Sequence, residues 1–140
     1  MPELGYSLSS EEFSASDLVR FARRAEEARF SFAVISDHFH PGTSKQGQSP
    51  FVWSVIGAIA ATTKKIRLGT GVTCPTIRIH PAIIAHAAAT AAAMMPGRFF
   101  LGVGAGEIYL HQVGRDQEGF FRFYEREVLP EFAIRSRRAA

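Results

Sequence analysis

The chain has 140 residues, 46% hydrophobic and 21% charged. That composition is globular rather than disordered, and the length allows one domain with a real core. The net charge of +3 does not make a nucleic-acid binder: the basic residues form no stripe with interleaved aromatics, and Arg135, Arg137 and Arg138 are read as a solvated tail. One cysteine, Cys74, rules out an intramolecular disulfide and fits a reducing, cytoplasmic setting.

The elements alternate strand and helix. Residues 3–8 make a short first strand. Ser14 or Ser16 caps a helix through DLVRFARRAEEA, in which Leu18, Phe21, Ala22 and Ala25 recur at helical spacing. Residues 31–36 form a second strand, followed by the polar loop PGTSKQGQSP. Residues 51–62 make a helix that is apolar nearly all round and therefore buried. IRLGTGV is a third strand, and Pro75 and Pro81 bracket the next loop. An alanine-rich helix over 82–95 is stopped by Pro96-Gly97. It is too short and too weakly apolar to span a bilayer. The N-terminus MPELGYSLSSEE lacks the pattern of a signal peptide. RFFLGVGA is a fourth strand. This alternation predicts a parallel sheet with helices outside it.

The pattern breaks at Glu107. IYLHQV, residues 108–113, reads as a fifth strand with no crossover before it, although parallel neighbours need a connection of a dozen or more residues. A closing helix over 116–132 carries Phe120, Phe121, Phe123 and Tyr124. The junction between Glu107 and Ile108 is read as the scar of an internal deletion, dividing one partial-barrel domain into residues 1–107 and 108–140.

The chemistry-bearing residues lie at strand ends. VISDHFH hands an apolar strand directly to Asp37 and His38, and the fourth strand ends on Glu107. Barrel enzymes keep their reactive groups at the carboxyl ends of strands. Imidazole titrates near neutral pH, so it suits proton exchange with a hydroxyl. His38 and His40 have His-x-His spacing, but no second ligand cluster accompanies them, and no metal site is expected. His80 and His86 flank a helix start and are expected to cap it or lie at the surface. Gly102, Gly104 and Gly106 allow close backbone approach, but the spacing is not a nicotinamide dinucleotide fingerprint.

The segments ISDHFHPG, GQSPFVWSVIGAIAATT, IRLGTGVTCPTIRIHPAIIAHAAATAAAMMPGRFFLGVGAGE and HQVGRDQEGFFRFYEREVLP resemble the luciferase-like monooxygenase superfamily. More narrowly, they resemble its coenzyme F420-dependent glucose-6-phosphate dehydrogenase-like oxidoreductases. The resemblance implies an α/β fold, an incomplete TIM (β/α)8 barrel. It comprises the first four βα units plus the final strand and helix of a barrel of roughly 250 residues or more. It implies that His38 exchanges the substrate's hydroxyl proton and that Glu107 is the opposite member of an acid–base pair beside the coenzyme. It implies coenzyme contacts from Asp37, Gly71, Val72, Cys74, Ala105 and Gly106, with a cis Gly71–Val72 bond bracing the ring. Glu11 matches an acidic active-site position. Gly42 stands where the sugar-phosphate branch has a tryptophan, which argues against a sugar-phosphate substrate. The implied cofactor is coenzyme F420, with flavin mononucleotide (FMN) as the alternative, and the implied partner is a small-molecule substrate. The competing reading is a non-catalytic remnant whose exposed sheet edges favour a homodimer or other self-association.

Overall fold

The computed structural model describes residues 3–75 and 78–104. They belong to the first of two units, Met1–Glu107 and Ile108–Ala140. The predicted fifth strand, the closing helix and the Glu107–Ile108 junction lie outside the described residues. Within them the order is β1 (Gly5–Leu8), α1 (Ala15–Glu27), β2 (Phe32–Ile35), α2 (Val52–Thr62), β3 (Arg67–Thr70), α3 (Pro81–Met94) and β4 (Phe99–Phe100). The strands form one parallel sheet in the order β1-β2-β3-β4. Each connection runs through a helix, as parallel neighbours require.

Local chemistry accounts for the helix boundaries. Ser14 is the N-cap of α1: its Oγ accepts from the Asp17 N–H at 3.2 Å, and Asp17 places negative charge in the first turn. Leu18, Ala22 and Ala25 form the buried stripe. The helix ends with Arg29 in the left-handed region, φ 66°. There the Arg29 N–H donates to Glu26 O and the Phe30 N–H to Ala25 O, each at 3.0 Å. That pair of bonds is a Schellman ending, normally built on glycine. In α2, Val52, Trp53, Val55, Ile56, Ile59 and Ala60 are buried. His80 caps α3, its Nδ1 accepting from the Ala82 N–H at 3.2 Å, and Pro81 occupies the first turn, where no N–H is needed. His86 lies at the surface.

The two faces of the sheet differ. Tyr6 and Leu8 register with Ala33 and Ile35, and these with Leu68 and Thr70, so all six side chains share one face. Leu8, Ala33, Ile35, Leu68 and Thr70 are buried. With Leu18, Ile56 and Ile59, the four apolar ones form the core between sheet and helices. Full burial of each such aliphatic side chain contributes about 1.5–3 kcal/mol. The other face carries Gly5, Ser7, Phe32, Val34, Gly69 and Phe100, and no layer covers it among the described residues. The Phe32 ring lies over Gly5 and the Phe100 ring over Gly69, where added Cβ atoms would come within 2.2 Å of each ring. The two rings meet edge to face at 6.2 Å. In a closed barrel this face is the interior.

The fourth strand is much shorter than the predicted 98–105. Beyond Phe100 the ladder stops, because the Gly102 N–H donates to the Thr70 hydroxyl at 3.2 Å, while the Gly102 carbonyl accepts from that hydroxyl at 2.9 Å and from the Thr73 N–H at 2.8 Å. Pairing resumes only as a single bridge, Thr73 to Val103. A side-chain hydroxyl has taken a ladder position. No helix among the described residues is long and apolar enough to cross a membrane.

Candidate active site

Every residue with chemistry in this region lies beyond the carboxyl end of a strand. Glu11 lies in the turn after β1; Ser36, Asp37 and His38 come after β2; Gly71 to Cys74 and Arg78 after β3; Leu101 to Gly104 after β4.

Glu11 and His38 come together. Glu11 is buried, its side chain 7% exposed, and Oε1 lies 2.5 Å from Nδ1 of His38, whose side chain is 56% exposed. The contact is one of charge and proximity, since Oε1 accepts no aligned hydrogen bond. Oε2 is well held: Ser36 Oγ donates to it at 2.7 Å and Ser9 Oγ at 3.1 Å. Burial pushes the Glu11 carboxyl upward. The Ser36 hydroxyl, its own backbone N–H, the His38 charge and the Ser9 hydroxyl outweigh that and hold it below the ordinary 4.5. The loop after β2 is stapled to both residues, with the Gln48 N–H donating to Glu11 O at 3.0 Å and Ser49 Oγ to His38 O at 2.7 Å.

Asp37 is buried and engaged on both oxygens. Thr73 Oγ1 donates to Oδ2 at 2.8 Å, and the Arg78 guanidinium pairs with Oδ1. Arg78 also lies over the exposed Phe39 ring, 5.9 Å from its centroid. The pair ties the loop after β3 to the end of β2 while leaving lone pairs on a carboxylate that accepts up to about four bonds.

The Gly71–Val72 peptide is cis, as the resemblance implies. Val72, Leu101 and Val103 are exposed and apolar at the ends of β3 and β4, and Cys74 is half-buried nearby. Glu107, Ala105 and Gly106 lie outside the described residues. Among the described residues no three His, Cys, Asp or Glu side chains are grouped to hold a metal ion. His40 instead stacks edge-on against Phe39 at 4.4 Å.

Sequence reading singled out Asp37, His38 and Glu11 but missed Ser9, Ser10, Ser36, Thr73 and Arg78. Ser36 was visible as the residue before Asp37. Arg78 stands 41 positions from its partner, and nothing local marks that pairing.

Comparison with known proteins places this geometry. Residues 1–126 match the luciferase-like monooxygenase family. An F420-dependent hydroxymycolic acid dehydrogenase of Mycobacterium tuberculosis is 42% identical over 119 residues, 85% of this chain and 33% of the relative. An F420-dependent glucose-6-phosphate dehydrogenase of Nocardia farcinica is 44% identical over 117 residues, 84% of this chain and 34% of the relative. The solved structure of an F420-dependent secondary alcohol dehydrogenase with an F420-acetone adduct superposes with a TM-score of 0.71 at 41% identity, covering 75% of this chain and 32% of that one. The chain thus spans about a third of the length of these relatives. With the parallel sheet, the helix-covered face and the strand-end acid–imidazole pair, these matches establish that the chain belongs to the luciferase-like monooxygenase family, as a partial barrel of that fold.

Proposed function

We propose that this chain is an incomplete-barrel coenzyme F420-dependent oxidoreductase, built like the first four βα units plus the final strand and helix of its relatives, that transfers hydride between an alcohol or sugar-type substrate and a deazaflavin. The observation that carries the reading is the buried Glu11 carboxylate set against the exposed His38 imidazole at neighbouring strand ends. Its relatives are named as F420-dependent dehydrogenases, which supports the cofactor class.

A bound deazaflavin supplies the hydride acceptor. The residues present fit the ring end of such a group. Val72, Leu101 and Val103 offer exposed apolar contact. Asp37, Gly71, Val72 and Cys74 would hold it, joined by Ala105 and Gly106. His38 accepts the proton of the substrate hydroxyl, and Glu11 stabilises the imidazolium that results. Glu107, outside the described residues, would be the proton-holding group on the coenzyme side. Gly42, in place of the tryptophan of the sugar-phosphate branch, argues against a sugar-phosphate substrate. Because contacts remote from the reacting atoms supply much of the binding energy, the 140-residue chain alone is expected to bind coenzyme weakly and turn over slowly or not at all.

The test is a fluorescence titration of the purified chain with coenzyme F420, followed by a hydride-transfer assay with simple alcohols. Saturable weak binding is expected. His38→Gln should retain it while any turnover falls by about 10²–10⁴-fold. Submicromolar binding would overturn the expected weakness; no binding of F420 beside clear binding of FMN would overturn the cofactor assignment.

A second reading, a non-catalytic barrel portion that self-associates, is favoured by the sheet face bearing Phe32, Val34 and Phe100, which nothing covers among the described residues. Sedimentation showing a coenzyme-free, concentration-dependent dimer would support it over the first.

A further inference from the structure

The hydroxyl protons around Glu11 can be counted, and the count decides which nitrogen of His38 carries hydrogen. Ser10 is fully buried. Its N–H donates to Ser36 Oγ at 2.9 Å, and its hydroxyl donates to Ser36 O at 2.6 Å. Ser36 Oγ therefore has one lone pair occupied and one proton to place. Three acceptors are in reach: Glu11 Oε2 at 2.7 Å, Ser10 Oγ at 3.1 Å and Leu8 O at 3.4 Å. The carboxylate oxygen is both the shortest and the charged one, so it takes the proton. Ser9 Oγ donates to the same oxygen at 3.1 Å.

Oε2 is thus fixed by two donors, and Oε1 is turned toward the ring. Buried and without an aligned hydrogen bond, Oε1 lies 2.5 Å from Nδ1. A bare nitrogen lone pair at that separation from a carboxylate oxygen is repelled, whereas an N–H is attracted. We infer that the Ser10–Ser36–Glu11 chain holds neutral His38 as the Nδ1–H tautomer, leaving Nε2 as the free base. Ser36 is then a positioning residue that acts on His38 through Glu11. The consequence rests on the proposed alcohol-oxidising role: a resting ring with its lone pair on Nε2 is set to receive a hydroxyl proton rather than to give one.

The experiment is side-chain nitrogen NMR on the ¹⁵N-labelled full chain, above the pH at which the imidazole titrates. His38→Gln assigns the His38 signals among the five histidines. In the wild type, hydrogen is expected on Nδ1. In Glu11→Gln, Ser36 and Ser9 continue to donate to the amide oxygen, the NH₂ faces Nδ1, and the tautomer should invert to Nε2–H. In Glu11→Gln/Ser36→Ala only the longer Ser9 bond, 3.1 Å, still orients the amide, and a mixture of tautomers is expected. Wild-type His38 with hydrogen on Nε2 overturns the inference whether or not any variant folds. So does a folded Glu11→Gln that does not invert, or a double variant indistinguishable from Glu11→Gln. None of these measurements uses the coenzyme, so they succeed or fail independently of the F420 titration that tests the function.

Discussion

Replacing Glu26 by alanine should loosen the end of the sheet opposite the site. Glu26 sits in the last turn of α1, and its carboxylate accepts three successive backbone N–H groups of the α2–β3 connection. These are Lys64 and Lys65 at 2.9 Å and Ile66 at 3.0 Å, all to Oε2, with a second bond from Lys64 to Oε1 at 3.1 Å. Alanine offers no acceptor to any of these N–H groups. The Lys64 and Lys65 groups are exposed, so water replaces those bonds at little cost. The Ile66 group is part-buried beside a side chain that is 2% exposed. A bond to a charged acceptor is worth about 1.5–3 kcal/mol net, so the expected loss is about 2 kcal/mol rather than three times that. With a urea slope of about 2 kcal/mol/M, the unfolding midpoint monitored by circular dichroism at pH 7 should fall by about 1 M. The pH dependence is a second, independent mark. Burial raises the Glu26 carboxyl, but the N–H groups of Lys65, Ile66 and Lys64 and the charge of Arg98 outweigh it, so the group titrates below the ordinary 4.5. A depressed carboxylate stabilises the fold above 4.5 and loses that contribution as pH falls through its folded value. The gap between wild type and variant should therefore narrow below that pH. Equal midpoints at pH 7, or a gap that stays constant into acid, would refute the reasoning.

Three further outcomes are expected. Arg78→Met strands the Asp37 carboxylate, 2% exposed, with only the Thr73 hydroxyl; it should cost about 3 kcal/mol in urea unfolding, and Asp37→Asn in the same chain should recover most of it. Gly102→Ala would place Cβ 2.0 Å from the Thr70 carbonyl oxygen, a backbone atom that cannot swing aside, and a loss of about 3 kcal/mol is expected by the same assay. Arg29→Gly removes a side chain from a residue at φ 66°. Relief of the left-handed strain exceeds the extra freedom glycine gains when unfolded, and the melting temperature should rise by an amount equivalent to roughly 0.5 kcal/mol.

Where local chemistry decides the outcome, the sequence was legible. The Ser14 cap, the His80–Pro81 start of α3 and the alternation of strand and helix are all set by neighbours within a turn or two of chain. Asp37 and His38 could be placed at a strand end because an apolar run stops there. The fourth strand was read too long, since RFFLGVGA has strand composition throughout. A hydroxyl 32 positions away shortens it: the Thr70 hydroxyl takes the Gly102 N–H.

By itself, then, the chain's order of residues determined the parallel α/β architecture, the face each helix buries and the end of the sheet where its acids and imidazole collect, because periodicity and caps act over a few residues. Only the tertiary structure decided that Glu11 rather than Asp37 meets His38, that Asp37 is tied to Thr73 and Arg78, and that Ser36 aims the Glu11 carboxylate. Those pairings close over 25 to 41 residues of intervening chain. They depend on which strand ends the sheet sets side by side, and no local preference encodes that.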